Sequence, residues 1–279
     1  MAVVTGRMYV PAPNPVVPRY GLLQVATGPL PLPINARQGG LQYDLSTCQL
    51  PVGYEVNCPA DLETKEFPGT IDTIEGDPFV IYSSVTCSPI GLANWGQEAV
   101  RQYLYQQLVA GEQATLERLF SEATFGVAPS LQAGVTNLGS AQGVVRGVGM
   151  LEEWLYSRYG LPGVIHAPAL SAPYFTGSHV VEKDSDRIWK TDFDTKVSFG
   201  NYAGEGPTGQ AASSGTAWVY ITGQVAVWRT PDDQLFLPPL GQVINRSTNL
   251  IETIMEREYV ISYDCYAAGV EVTLDTTDQ

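Results

Sequence analysis

The chain has 279 residues, 44% of them hydrophobic, 16% charged and 10% aromatic, with a formal net charge of −14. A chain of this length forms one large or two modest domains that bury roughly 75% of the unfolded surface, and its aromatic content sets it apart from disordered sequences. Four of the 15 basic residues are lysines (Lys65, Lys183, Lys190 and Lys196) and no basic stripe exists, which argues against binding to a phosphate backbone. The most apolar window, "AWVYITGQVAVW" at Ala217–Trp228, is far shorter than the ~20 residues of a spanning helix. The opening residues lack a long apolar run, so no signal peptide is expected, and Cys48, Cys58, Cys87 and Cys265 are expected as reduced thiols. Cys48 and Cys58 are the pair close enough in sequence to bridge a short loop.

Residues 1–35 are rich in proline and nearly uncharged, which favours extended backbone. Their aliphatic residues (Val16, Val17, Leu22, Leu23, Leu30 and Leu32) predict an arm buried against another subunit rather than a solvated tail. Residues 36–77 alternate short strand-like pieces with turn signals and read as irregular β structure, such as a long hairpin. "PFVIYSSVTC" (Pro78–Cys87) reads as a buried strand.

"QEAVRQYLYQQLVAGEQATLERLFSEA" predicts a helix over 97–123. Val100, Leu104, Leu108, Thr115 and Leu119 fall on one face, and Leu116, Phe120 and Ala123 widen it towards the C-terminus. Gly111 interrupts this helix and marks a bend or a close contact, while Gly126 and Pro129 stop it. Residues 130–148 read as a loop and "MLEEWLYSRYG" as a short helix ending at Gly160. Strand-like runs follow from "GVIHAPAL" to "TAWVYITGQVAVWRT", and "YAGEGPTGQAASSG" between them reads as a mobile surface loop. The chain ends in a long strand and a second, shorter one. The fold class is α+β, with the final strands returning to the long helix.

No constellation carries recognisable chemistry. The two histidines are isolated: His166 in "GVIHAP" reads as a hydrogen-bonded, half-buried strand residue, and neither Ser171 nor Ser178 sits in a nucleophile elbow. A hydrolase built on His166 and a carboxylate is the weakest reading. Asp184, Asp186, Asp192 and Asp194 lack the EF-hand offsets and read as solvated turn charges. "GVVRGVGM" precedes a helix without the lysine of a phosphate loop, and the pairs Glu152/Glu153 and Glu256/Glu258 lie in no recognisable pocket. The expectation is therefore no enzyme: no catalytic residues, no cofactor and no metal ligands.

The order of parts, with "NLIETIMEREYVISYDCYAAGVEV" (Asn249–Val272) and "GMLEEWLYSRYGLPGVIHAP", resembles the major capsid proteins of tailed bacteriophages, including those infecting actinobacteria. That family has the Hong Kong 97-type fold, also used by encapsulin shells. The resemblance implies an N-terminal arm over 1–35 and an extended loop over 36–77. It implies a peripheral domain over 78–129 and 239–279 with the spine helix 97–123, and an axial domain over 130–238. It further implies a subunit that assembles with copies of itself into hexamers and pentamers of an icosahedral capsid. Decoration or scaffolding proteins would be further partners. DNA would be enclosed without specific binding, no membrane is involved, and the shell would be assembled in the host cytoplasm. Some family members cross-link through a lysine; Lys65 lies in the expected extended loop, but no bond is expected of it. Another virion role, in a tail, adaptor or decoration protein, is the alternative.

Overall fold

The computed structural model describes residues 20–45, 48–51, 72–88, 96–122, 130–139, 142–202, 204–235, 244–245 and 250–275. After a one-turn helix (Leu22–Val25) come β1 (Thr27–Pro31), a second single turn (Ala36–Gly39), β2 (Leu41–Leu45), β3 (Asp72–Gly76) and β4 (Pro78–Cys87). The long helix spans Gln97–Ser121. β5 (Thr136–Asn137) and β6 (Gln142–Gly143) lead to a second helix, Val144–Tyr159, and then β7 (Val164–Pro168). A short helix (Ala172–Gly177), β8 (Glu182–Lys183), β9 (Trp189–Lys190) and β10 (Lys196–Gly200) follow. The chain closes with β11 (Thr216–Thr222), β12 (Val225–Arg229), β13 (Ile244–Asn245), β14 (Leu250–Tyr263) and β15 (Ala267–Thr273).

β14 organises the first sheet. Its residues Ile251–Val260 pair antiparallel with β4, and its end pairs with β12, which in turn carries β1 in parallel. Alternation along the two paired strands sends Ile81 and Ser83 of β4, with Thr253, Met255, Arg257 and Tyr259 of β14, towards the long helix. The Ser83 hydroxyl donates to the Leu104 carbonyl at 2.8 Å and fixes that contact. Val80 and Tyr82 point the other way and are exposed.

The second sheet has the order β5-β15-β11-β7-β10-β9-β8, with β6 also on β15. Its central strands are buried on both faces, as their continuous Val, Ile, Trp and Tyr content requires. Ile165 and Val219 face the second helix through Val148, Leu151 and Leu155. Val164 and Tyr220 on the other face join the core that includes Phe120 at the end of the long helix. β2 and β3 form a separate two-stranded ribbon.

Several sequence expectations change. The arm over 1–35 was expected to bury its apolar residues on another subunit; instead Leu22 and Leu32 are buried within their own chain, because the helical turn Leu22–Val25 packs on the long helix and Leu32 packs on Val260. Val16 and Val17 lie outside the described residues. Sheet membership cuts across the expected boundaries: β12, inside 130–238, belongs to the first sheet, and β15, inside 239–279, belongs to the second. The backbone crosses between sheets at Gly223 and at Asp264–Tyr266, and Gly223 N–H donates to the Tyr266 carbonyl at 3.0 Å.

The second helix starts at Val144 inside the expected loop, since Gly147 lets it approach β15: a Cβ there would come within 2.4 Å of Val272. Gly160 ends it in the left-handed conformation (φ 71°), as predicted. Gly111 makes no close contact and the helix is continuous through it. The helix ends at Ser121, and Ala123, Gly126 and Pro129 lie outside the described residues. The loop after β10 is tied down: Tyr220 donates to the Glu205 carbonyl, Gly215 accepts from Leu274 N–H, and Gly206 lies against Trp218.

The thiols also differ from expectation. Cys48 pairs with Cys265, 217 positions away, with Cα atoms 5.3 Å apart. Tertiary folding of the segment beyond β2 onto the β14–β15 turn makes this pair, so sequence spacing gave no hint of it. Cys87 is free, and Cys58 lies outside the described residues.

Candidate functional site

Val100, Leu104, Leu108, Leu116 and Phe120 of the long helix are buried at four-residue spacing, and the missing position is Glu112, only 3% exposed. Its carboxylate accepts from Arg229 Nη1 at 2.7 Å, Arg257 Nη1 at 3.0 Å and the Tyr259 hydroxyl at 2.7 Å. Arg257, with a fully buried side chain, also donates to Asp232, which accepts from the Tyr105 hydroxyl at 3.0 Å. Burial and the Glu112 carboxylate push the Tyr259 phenol far above its ordinary value, so it stays a donor. A buried charge is tolerated when paired and hydrogen-bonded, and the ion pairs across the long helix, β12 and β14 hold both Nη groups of Arg257, while its buried Nε has no partner.

A second polar line, Gln113, Glu117 and Ser121, runs beside the first and is also buried. Glu117 accepts from Leu22 N–H at 2.9 Å and Asn201 N–H at 2.7 Å. Burial raises its carboxyl above the ordinary value, while the two N–H donors oppose that shift. Gly21 and Gly200 make this approach possible: a Cβ on either would stand about 2 Å from the carboxyl group. The two lines fasten the helix to both sheets and to the segment at Leu22.

The residues singled out in the sequence are dispersed. His166 is fully buried rather than half-buried, with Nδ1 3.2 Å from the Tyr202 hydroxyl and Nε2 3.0 Å from Thr222 Oγ1. Desolvation lowers its pKa to about 3, which keeps it neutral. Its hydrogen-bonding partners are hydroxyls, with no carboxylate among them. Ser171 donates to the Pro168 carbonyl and Ser178 to that of Tyr174. Asp184 accepts from the N–H groups of Asp186 and Ile188, and Lys190 bridges Asp184 and Asp194 at 3.3 and 2.8 Å. Glu152 accepts from Thr191, Glu258 pairs with Arg37, and Lys65 lies outside the described residues. No group of three metal-ligating side chains occurs among the described residues, and no described helix is long and apolar enough to cross a membrane.

Sequence reading missed Glu112, Arg257 and Glu117. The available signal was positional: Glu112 interrupts an apolar series at four-residue spacing, and Arg257 falls between Met255 and Tyr259 on one face of β14. Opposite charges at the buried positions of two elements imply that they meet.

The two-stranded ribbon, the long helix laid against long returning strands and the second, mixed sheet define the Hong Kong 97-type capsid fold, and likeness to solved structures over the whole chain shows it. The capsid of a native GTA particle aligns with a TM-score of 0.61 at 10% identity, covering 97% of this chain and 96% of that one. Microbacterium phage Oxtober96 gives 0.56 at 10% identity over 98% and 97%. The SrpI encapsulin of Synechococcus elongatus PCC 7942 gives 0.53 at 12% identity over 99% and 94%. No protein-family profile and no curated protein matches the sequence.

Proposed function

We propose that this chain is a structural shell subunit that assembles with copies of itself into an icosahedral capsid enclosing a phage genome. The observation that carries this reading is the whole-length likeness to the capsid of a native GTA particle, which extends through ribbon, long helix and both sheets. That order favours a shell over a tail, adaptor or decoration role. The first sheet with the long helix corresponds to the peripheral domain, the second sheet to the axial domain, and residues 1–35 to the arm.

A surface feature supports the reading. Among the described strands β4 has a partner on one side only, and this ten-residue edge carries the exposed Val80 and Tyr82. Natural proteins shield long edges, and in a shell a neighbouring copy does so. Permanent assemblies commonly bury about 2,000 Å² or more per interface. A structural role agrees with His166, whose ring is hydrogen-bonded to the Tyr202 and Thr222 hydroxyls and packed on Phe120 in the core. The acidic net charge agrees with cargo DNA enclosed without tight binding.

Electron microscopy of the purified chain tests the proposal. Hexamers, pentamers or closed shells are the expected result, and a chain that stays monomeric under every assembly condition overturns it. Removing residues 1–19, which stops short of the buried Leu22, separates the arm's role in assembly from folding of the subunit.

A further inference from the structure

The β2–β3 ribbon lies along the junction of the two sheets. Gly76, at the end of β3, lies so close to Val260 that a Cβ would come within 2.6 Å of its side chain. Tyr43 of β2 hydrogen-bonds Ser262 at 2.6 Å and reaches Asp264 at 3.4 Å. Beyond β2, Cys48 is joined to Cys265, and the Tyr266 hydroxyl donates to the Cys48 carbonyl at 2.7 Å. Leu50 then abuts the end of the second helix, 2.7 Å from where a Cβ on Gly160 would stand. Asp264–Tyr266 is also the turn through which the backbone passes from β14 of the first sheet to β15 of the second. One covalent bond therefore spans the ribbon, the first sheet and the second. Cys48 is 5% exposed and Cys265 is partly exposed.

We propose that Cys48 and Cys265 form a reversible redox latch that fixes the far end of the ribbon, just beyond β2, to the junction of the two sheets. Closure needs a small-molecule disulfide, such as oxidised glutathione, as the oxidant. The Cys265 thiolate attacks one glutathione sulfur and expels the other as a thiolate; Cys48 then attacks the Cys265 sulfur and expels the second. Two cysteines are oxidised, one glutathione disulfide is reduced to two thiols, and the two cysteine protons pass to those thiols. When the latch is open, the far end of the ribbon is held by the hydrogen bonds of Tyr43 and Tyr266 and by the contact of Leu50 with the end of the second helix. Such contacts open locally far more readily than a covalent bond. The latch is a property of the single chain. It rests on the proposed shell function only for its consequence, that shells built from reduced chains stiffen once oxidised.

Hydrogen exchange measured by mass spectrometry tests the latch on the full chain, oxidised with glutathione disulfide, reduced with dithiothreitol, and as Cys48→Ser and Cys265→Ser. The expected result is amide exchange in β2 and β3 at least about tenfold faster in the reduced chain and both variants, with β14 and the long helix unchanged. Glutathione disulfide should restore protection in the reduced wild type alone. Equal ribbon exchange in oxidised and reduced protein overturns the proposal. So does loss of protection throughout β14 and the long helix on reduction, which would make the bond a general staple. Should one serine variant fail to fold, reduction of the folded wild type gives the same reading. Absence of shells in micrographs would count against the proposed function and leave the exchange result standing.

Discussion

Arg257 is held on its buried side by Glu112 and at its rim by Asp232, and the consequences of removing it can be stated. Taking one member from a buried ion pair costs about 3–5 kcal/mol, because the partner keeps its desolvation penalty. Glu112 retains Arg229 and Tyr259, so Arg257→Met should lie near the lower end, about 3 kcal/mol in urea unfolding. Replacing Glu112 by Leu as well should recover part of that loss, and a neutral single variant would disprove the role assigned to the pair. His166 gives a pH prediction. Its folded pKa of about 3 lies below the ordinary 6.5, so the unfolded chain takes up a proton in that interval while the folded chain does not. The stability from burying neutral imidazole is thus complete above pH 6.5 and declines as pH falls towards 3, by about 1.4 kcal/mol per unit. Glu117 and Asp264, both raised, act in the opposite direction: stability increases as pH falls through their folded values. His166→Gln retains both carboxyls, so the stability gap between wild type and variant should shrink by about 2 kcal/mol from pH 7 to pH 5. A gap that does not change with pH would mean that the histidine accepts a proton in the folded state.

A helix whose buried residues recur every four positions does not keep one face towards one partner. Four residues turn about 400°, so each step advances about 40° and the five steps from Val100 to Phe120 turn the buried line through about 200°. This rotation lets the first half of the helix lie on β4 and β14 while Phe120 reaches His166 under the second sheet, with ring centroids 5.4 Å apart. The drift was legible in the sequence as an apolar stripe moving round the axis, and so was the existence of the helix. Its buried polar positions were not, because a glutamate in a helix reads as solvated until its partner on another element is known. Glycines divide in the same manner. Gly111 and Gly147 both lie inside helices, but a Cβ on Gly111 meets nothing within 4 Å, whereas one on Gly147 meets Val272 at 2.4 Å. Gly111→Ala should therefore stabilise the chain by about 0.5–1 kcal/mol through helix propensity and unfolded-state entropy. Gly147→Ala should destabilise it by about 1–3 kcal/mol through overpacking. Denaturation midpoints that move in the same direction for both would contradict this division.

The order of elements along the whole chain was readable because each announces itself locally: prolines before β1, a long helical run, β-branched strands and a terminal strand pair. Sheet membership was not readable, since β12 and β15 change partners at the two crossings, and neither was the Cys48–Cys265 pair that closes over one of them. Net charge is the global property that bears most directly on the proposed assembly. Copies carrying −14 each repel as they approach, over a Debye length of about 30 Å at 0.01 M salt and about 10 Å at 0.1 M. The exposed apolar edge at Val80 and Tyr82 contributes a short-range attraction that salt does not screen. On the proposed shell function, raising sodium chloride from about 0.01 M to about 0.5 M should lower the protein concentration at which shells first appear, because repulsion is screened and apolar contact is not. Light scattering across a concentration series, with micrographs to identify the particles, measures that threshold. A threshold that rises with salt would place attractive charge pairs at the interfaces and reverse the balance: basic side chains would then sit opposite the acidic surface of the neighbouring copy, and the apolar edge would be secondary.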